Sequence, residues 1–164
     1  MKQTVLRYGL WSGLVICLLF LASFLIFHDT NFEAQEVFGY TSIILSLLFV
    51  FFGMRHYRDK VNNGVLSFGR GMKVGTLIVL IPSLIFGLFN ILYVIVINPG
   101  FYKRYMEHMK ETMPAAEYQV AAKEMEMWAN PMFSFAIMAV TVFMIGMIVT
   151  VISSLILRRR AASY

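Results

Sequence analysis

The sequence predicts an all-α polytopic membrane protein: a four-transmembrane-helix bundle with an extracytoplasmic amphipathic helical hairpin between the third and fourth spans. Three observations predict it. Of 164 residues, 59% are hydrophobic and only 14% are charged, against about 25% charged in an average soluble chain. Four uncharged runs, residues 10–27, 37–54, 74–97 and 132–157, measure 18, 18, 24 and 26 residues. The charges are segregated into the flanks between them. A helix crosses a bilayer with about 20 apolar residues, so a soluble chain of this length has no use for four such runs. One membrane domain over 1–164 is expected, with spans near 6–27, 37–55, 70–97 and 131–157.

The first span follows Lys2 and Arg7, which resemble the basic start of a secretory signal. No small-x-small cleavage site follows, and the apolar run is longer than the usual signal core of about 7 to 15 residues. Cys17 sits in a superficial lipoprotein box, Leu14-Val15-Ile16-Cys17, with Ile where a small residue is required. The segment is read as a retained helix. Its lone cysteine has no partner in the chain and forms no redox motif.

Orientation follows from Lys and Arg in the short flanks. Lys2 and Arg7, then Arg55, Arg58, Lys60, Arg70 and Lys73, then Arg158, Arg159 and Arg160 put ten cations on one side. The loop 28–36 has none, and 98–131 has Lys103, Arg104, Lys110 and Lys123. Asp59 alone among the acids shares the ten-cation side. Both termini and the loop 56–69 are therefore expected in the cytoplasm. The net charge of +5 is a topology signature and not a nucleic-acid footprint.

Membrane helices pack through small residues that let backbones approach. The second span offers Gly39, Ser42, Ser46, Phe49 and Gly53 on one face. The first offers Gly9 and Gly13, the third Gly71 and Gly75 with Ser83 and Gly87, and the fourth Gly146, Thr150 and Ser154. Packing within the bundle is read ahead of homo-oligomerisation, because the four helices must first pack each other. Pro82 is expected to kink or soften the third span. Asn90 is the most polar side chain deep in any span. A hydrogen bond across helices explains it more simply than a transport site, since no acid, base or histidine lies at comparable depth.

Pro99 closes the third span and opens the hairpin 99–130. Tyr102, Tyr105, Met106, Met109 and Met113 share one helical face, with Lys103, Glu107, Lys110 and Glu111 on the other. After Pro114, Tyr118, Ala122, Met125 and Ala129 repeat the pattern, and Asn130-Pro131 reads as N-cap and first-turn proline of the fourth span. The hairpin either lies on the outer leaflet or caps the bundle. Trp128 and Tyr102 suit an interfacial aromatic belt.

No constellation here specifies chemistry. Met106, Met109, Met113, Met125, Met127 and Met132 with His108 are soft ligands of the kind that select Cu(I). Methionine is more commonly an adaptable apolar filler, so a periplasmic Cu(I) role is the lesser alternative. The histidines at 28, 56 and 108 supply no closed metal site; no metal, cofactor or enzymatic activity is expected. The stretch Gly69-x-Gly71-x-x-x-Gly75 lacks both nucleotide-loop spacings. Asn62-Asn63-Gly64 reads as a turn, Ser67 as a helix cap, and Val65, Leu66 and Phe68 as side chains dipping into the interface. Arg55, Arg58, Lys60, Arg70 and Lys73 are then the expected contacts for anionic lipid headgroups.

Several of these residues also resemble a known family. Tyr57-Arg58-Asp59-Lys60, Asn63-Gly64, Ser67-Phe68-Gly69 and Lys73-Val74-Gly75 look like the central signature of a bacterial four-transmembrane-helix family catalogued only as a domain of unknown function. Asn90-Ile91-Leu92-Tyr93, Asn98-Pro99-Gly100-Phe101 and the closing residues 149–156 match as well. The resemblance covers nearly the whole chain, departing at Asn62, where a second glycine is more usual. It implies a four-helix inner-membrane protein and no particular activity.

The expected function is that of a non-enzymatic scaffold or modulator of a membrane partner. The alternative is a small oligomeric transporter or channel with Asn90 on its path. Expected partners are lipid headgroups and either a second copy in a homodimer or another membrane protein, with no nucleic acid.

Overall fold

The computed structural model describes residues 1–27 and 32–159. His28 and Asp29 of the first connection and Arg160 of the tail lie outside the described residues. Six α-helices follow one another: α1 (Lys2–Phe27), α2 (Phe32–His56), α3 (Phe68–Leu92), α4 (Phe101–Thr112), α5 (Ala115–Trp128) and α6 (Pro131–Ile156). No β-strand occurs among the described residues. The four long helices α1, α2, α3 and α6 are each long and apolar enough to cross a membrane. The chain is an all-α, multi-pass membrane bundle.

Helices α1 and α2 start earlier than their apolar runs, at Lys2 and Phe32. Charge at the helix ends accounts for part of this. Glu33 stands in the first turn of α2, and Arg55 and His56 in its last, each matching the helix dipole. Ser67 caps α3 by accepting from the Arg70 N–H at 3.4 Å. Asn130 caps α6 with one side-chain oxygen, which accepts from the N–H groups of Met132 and Phe133 at 2.9 and 3.3 Å, and Pro131 follows at the first turn.

Two wide turns were not anticipated. The chain leaves α2 through a π-helical turn, Tyr57–Val61, and leaves α3 through another, Tyr93–Ile97. Each begins on a buried tyrosine and closes on an asparagine: Asn62 N–H donates to the Tyr57 carbonyl at 2.9 Å, and Asn98 N–H to the Tyr93 carbonyl at 2.7 Å. The local sequences share Tyr-x-x-x-β-branched-Asn-x-Gly at 57–64 and 93–100. After the first turn, Asn63 and Gly64 both take positive φ, 51° and 77°, which only asparagine, aspartate and glycine adopt cheaply.

Around the bundle, α1 packs on α2 and α3, and α6 packs on α3 and α2. The α3–α6 contact is the most extensive. Ile16, Leu47, Val50, Met54, Val74, Ile78 and Val79 fill the centre and are fully buried. Leu25, Val37, Leu88, Val140, Ile148 and Ile156 stand exposed on the outside, as suits a surface whose solvent is hydrocarbon. Helix α3 runs through Pro82 without interruption. Proline has no N–H to give the Ile78 carbonyl four residues back. The backbone of α1 comes close there: a Cβ built on Gly9 would lie 3.1 Å from that carbonyl oxygen.

At the end that holds the start of α1 and the end of α6, called the terminal end below, Leu66 and Arg159 exchange two backbone hydrogen bonds of 2.9 Å. This corrects the interfacial reading of Leu66: the pairing draws it inward, and it is fully buried in the core beside Leu157. Val65 is half-buried and Phe68 exposed.

Candidate functional site

The end of the bundle opposite the terminal end carries the hairpin of α4 and α5, joined through Met113 and Pro114. Aromatic rings fasten it. Phe32, at the start of α2, meets Tyr105 and His108 of α4 with ring centres 5.3 and 5.0 Å apart. Tyr93 meets Phe101 at 5.8 Å, and Trp128 meets Phe133 of α6 at 6.0 Å. Helix α5 contributes no buried residue. The hairpin is therefore seated on the bundle end through the rings of α4 and the Trp128 ring of α5.

Two polar chains run beneath it. Asn90 of α3 donates through Nδ2 to Ser134 Oγ of α6, and Tyr102 Oη of α4 lies 3.3 Å from the same oxygen. Asn98 donates through Nδ2 to Tyr93 Oη at 2.9 Å and accepts from the Arg104 guanidinium. Asn90, Asn98 and Ser134 are all buried, so each bond replaces water that the interior excludes. Asn90 makes a bond across helices, and the separate Tyr102–Ser134 contact ties that pair to the hairpin. Asn98, Ser134 and Tyr93 had not been singled out as site residues; the Tyr-x-x-x-β-branched-Asn-x-Gly pattern at 93–100 was the one available signal for two of them.

Between the bundle and the hairpin lies a cavity of about 350 Å³, within the range of small-molecule sites. Its wall is largely aromatic, including Phe20, Phe86, Tyr93, Phe101, Tyr105 and Trp128, and the polar groups on it include Ser23, Gln35, Asn90 and Thr141. Glu36 is the one charged residue on that wall among the described residues. Ser23 Oγ is buried and has no hydrogen-bond partner among the described residues. Burial, and next the negative charge of Glu36, push the Tyr105 hydroxyl above its ordinary pKa. Edge-to-face contacts of Phe20 with Phe86 and Tyr93, both at 5.3 Å, hold the deep wall.

The expected packing residues fall into different places. Gly71, Gly75, Gly146 and Thr150 meet in one α3–α6 seam: a Cβ on Gly71 would lie 2.9 Å from Ser154 Oγ, and one on Gly75 or Gly146 would collide with Thr150 or Val79. Gly53 fits against Ile78 and Tyr8. Ser46 joins α1 and α2 through its carbonyl, which accepts from Ser12 Oγ at 2.8 Å. Ser42 is buried and bonds back to Phe38 in its own helix at 2.7 Å. Gly39 differs: a Cβ there would meet nothing nearer than Phe20 at 4.0 Å. It is not a close-packing position, and it lines the cavity instead.

The five cations expected at headgroups all lie at the terminal end. Arg58 pairs with Asp59 at 2.6 Å, Arg55 reaches the same carboxylate at 3.8 Å, and Arg70 donates to Asn62 Oδ1 at 3.0 Å. Lys60 and Lys73 are exposed. Among the hairpin methionines, Met109 is buried, Met106 and Met125 are half-buried, and Met113, Met127 and Met132 are exposed. No group of three His, Cys, Asp or Glu side chains suited to a metal occurs among the described residues.

Fold and cavity together define a class: a four-span helical membrane protein with a roofed, aromatic-lined chamber at one end. The chain belongs to the family described as Protein of unknown function (DUF4199), which matches residues 7–159. No curated protein and no solved structure matches the chain.

Proposed function

We propose that this protein is a non-enzymatic modulator of a membrane partner, and that occupancy of the hairpin-end cavity sets the position of the hairpin the partner meets. The observation that carries this reading is the Asn90–Ser134–Tyr102 chain. It joins a wall residue of the cavity to the two helices beneath and to α4 above. A side chain or ligand that moves the wall then moves the hairpin.

An oligomeric transporter or channel remains the second reading, favoured only by the presence of Asn90 in the cavity wall. Close packing in the terminal half weighs against a path through one copy. There the α3–α6 seam has no room for a methyl group at Gly71 or Gly75, and Leu47, Val50, Val74 and Ile78 are fully buried.

The proposed setting is a bacterial inner membrane, with the terminal end cytoplasmic and the hairpin outside. The ten cations of the terminal flanks support this. Arg55, Arg58, Lys60, Arg70 and Lys73 then stand at the height of anionic headgroups. Purified protein in sealed vesicles, assayed with proton-, sodium- and potassium-sensitive dyes, tests the non-transport reading. No flux above empty vesicles is expected. Flux that disappears in Asn90→Leu would overturn it.

A further inference from the structure

We infer that the hairpin-end cavity takes a small organic cation bearing an apolar arm, with Glu36 as its countercharge and the surrounding rings as its contact surface. The inference rests on the reading of this cavity as a ligand site and adds the class of ligand. Three features of the wall argue for it.

The first is charge. Glu36 is the one charged wall residue among the described residues, and it makes no ion pair among them. Lys103 and Arg104 belong to the neighbouring helix, but neither lines the cavity, and Arg104 is engaged with Asn98. An anionic ligand would meet only repulsion from the wall's charge. A neutral one would gain nothing from that charge. A cation returns a partner.

The second is the ring set. Phe32, Tyr40, Tyr93, Phe101, Tyr105 and Trp128 all line the chamber. The negative faces of such rings attract ammonium groups, quaternary ones above all, since these carry no N–H for conventional hydrogen bonds. Glu36 lies close enough to these rings for its charge to act on the Tyr105 hydroxyl.

The third is Ser23. Its hydroxyl is buried, has no hydrogen-bond partner among the described residues and lines the same chamber. An unmet buried hydroxyl is costly in a native interior, and it marks this part of the wall as one that packing within the chain leaves incomplete. Its neighbours on the wall, Phe20 and Phe86, suit the ligand's apolar arm.

The test uses the two tryptophans, Trp11 and Trp128. Trp11→Phe leaves Trp128, in the cavity wall, as the sole reporter. In phosphatidylcholine nanodiscs, whose surface carries no net charge, its fluorescence is titrated with benzyltrimethylammonium, with the neutral isostere neopentylbenzene and with benzylsulfonate. The cation is expected to bind at least about tenfold more tightly than the isostere, and benzylsulfonate not at all. Glu36→Gln, at an exposed position, is expected to erase the preference for the cation while leaving thermal unfolding unchanged. Gly39→Leu, which narrows the chamber without a backbone clash, is expected to abolish binding of both. Equal binding of cation and isostere, or a cation affinity unmoved by Glu36→Gln, would overturn the cation class and leave the cavity reading standing. Binding of none of the three probes would overturn the cavity reading itself.

Discussion

Asn90 places an amide inside an apolar helix and meets Ser134 on the facing one, with the Tyr102 hydroxyl against the same oxygen. Hydrogen bonds between membrane helices contribute about 0.6 to 2 kcal/mol each. Asn90→Leu is therefore expected to destabilise the bundle by roughly that amount, with Ser134→Ala costing a similar amount. Because the two share one bond, the double variant should cost little more than either single change; equilibrium unfolding in detergent measures all three. The most polar intramembrane residue was legible in the sequence, but its partner was not. Ser134 is one of many small hydroxyl residues, and only the tertiary register of α3 on α6 selects it. Gly39 shows the same limit. Its place in the series 39, 42, 46, 53 is correct for one helix face, yet whether that face meets a neighbour's backbone or a void depends on the helix's tilt. The position is open, so Gly39→Leu is expected to leave unfolding within about 1 kcal/mol of wild type.

Helix α3 is the element that organises the others: its own Gly71, Gly75 and Gly87 admit α6, while Gly9 and Gly13 of α1 admit its isoleucines. Gly75 faces Thr150 and Met54, whereas Gly69 has no atom near its Cβ position. Two glycines six residues apart in one helix should thus respond oppositely. Gly75→Val is expected to cost at least about 1 to 3 kcal/mol through overpacking. Gly69→Ala is expected to be neutral or stabilising by up to about 1 kcal/mol, through helix propensity. Paired unfolding curves compare them, and similar losses at both sites would contradict the seam. The turn after α2 was legible because its chemistry is local: Asn63 and Gly64 are the residue types that positive φ requires. The π-helical turns and the burial of Leu66 were not, since each depends on a distant surface. For Leu66 that surface is the segment following α6 at Arg159, whose two backbone bonds should make the Leu66 amide slow to exchange with deuterium. Cutting the chain after Leu157 should abolish that protection.

At the scale of the molecule, the four spans and their order were readable from hydrophobic run length, and the hairpin between the third and fourth from its helical periodicity and its prolines. Their neighbours in the bundle were not, because lipid-facing and helix-facing residues are equally apolar here and the pattern carries little moment. The proposed orientation rests on charge. If the ten cations mark the cytoplasm, a cysteine at Val120 should react with a membrane-impermeant maleimide in intact cells, and one at Asn63 only after lysis, both in a Cys17→Ser background. The reverse pattern would invert the molecule and place the cavity inside. The central claim joins the cavity to the hairpin above it, and it is tested without a ligand. Spin labels at Val120 of α5 and Val140 of α6, both exposed, report the hairpin's distance from the bundle by pulsed electron resonance in nanodiscs. With the chamber filled from within by Gly39→Phe, the account predicts a displaced distance distribution. An unchanged distribution in a protein that still folds would contradict it.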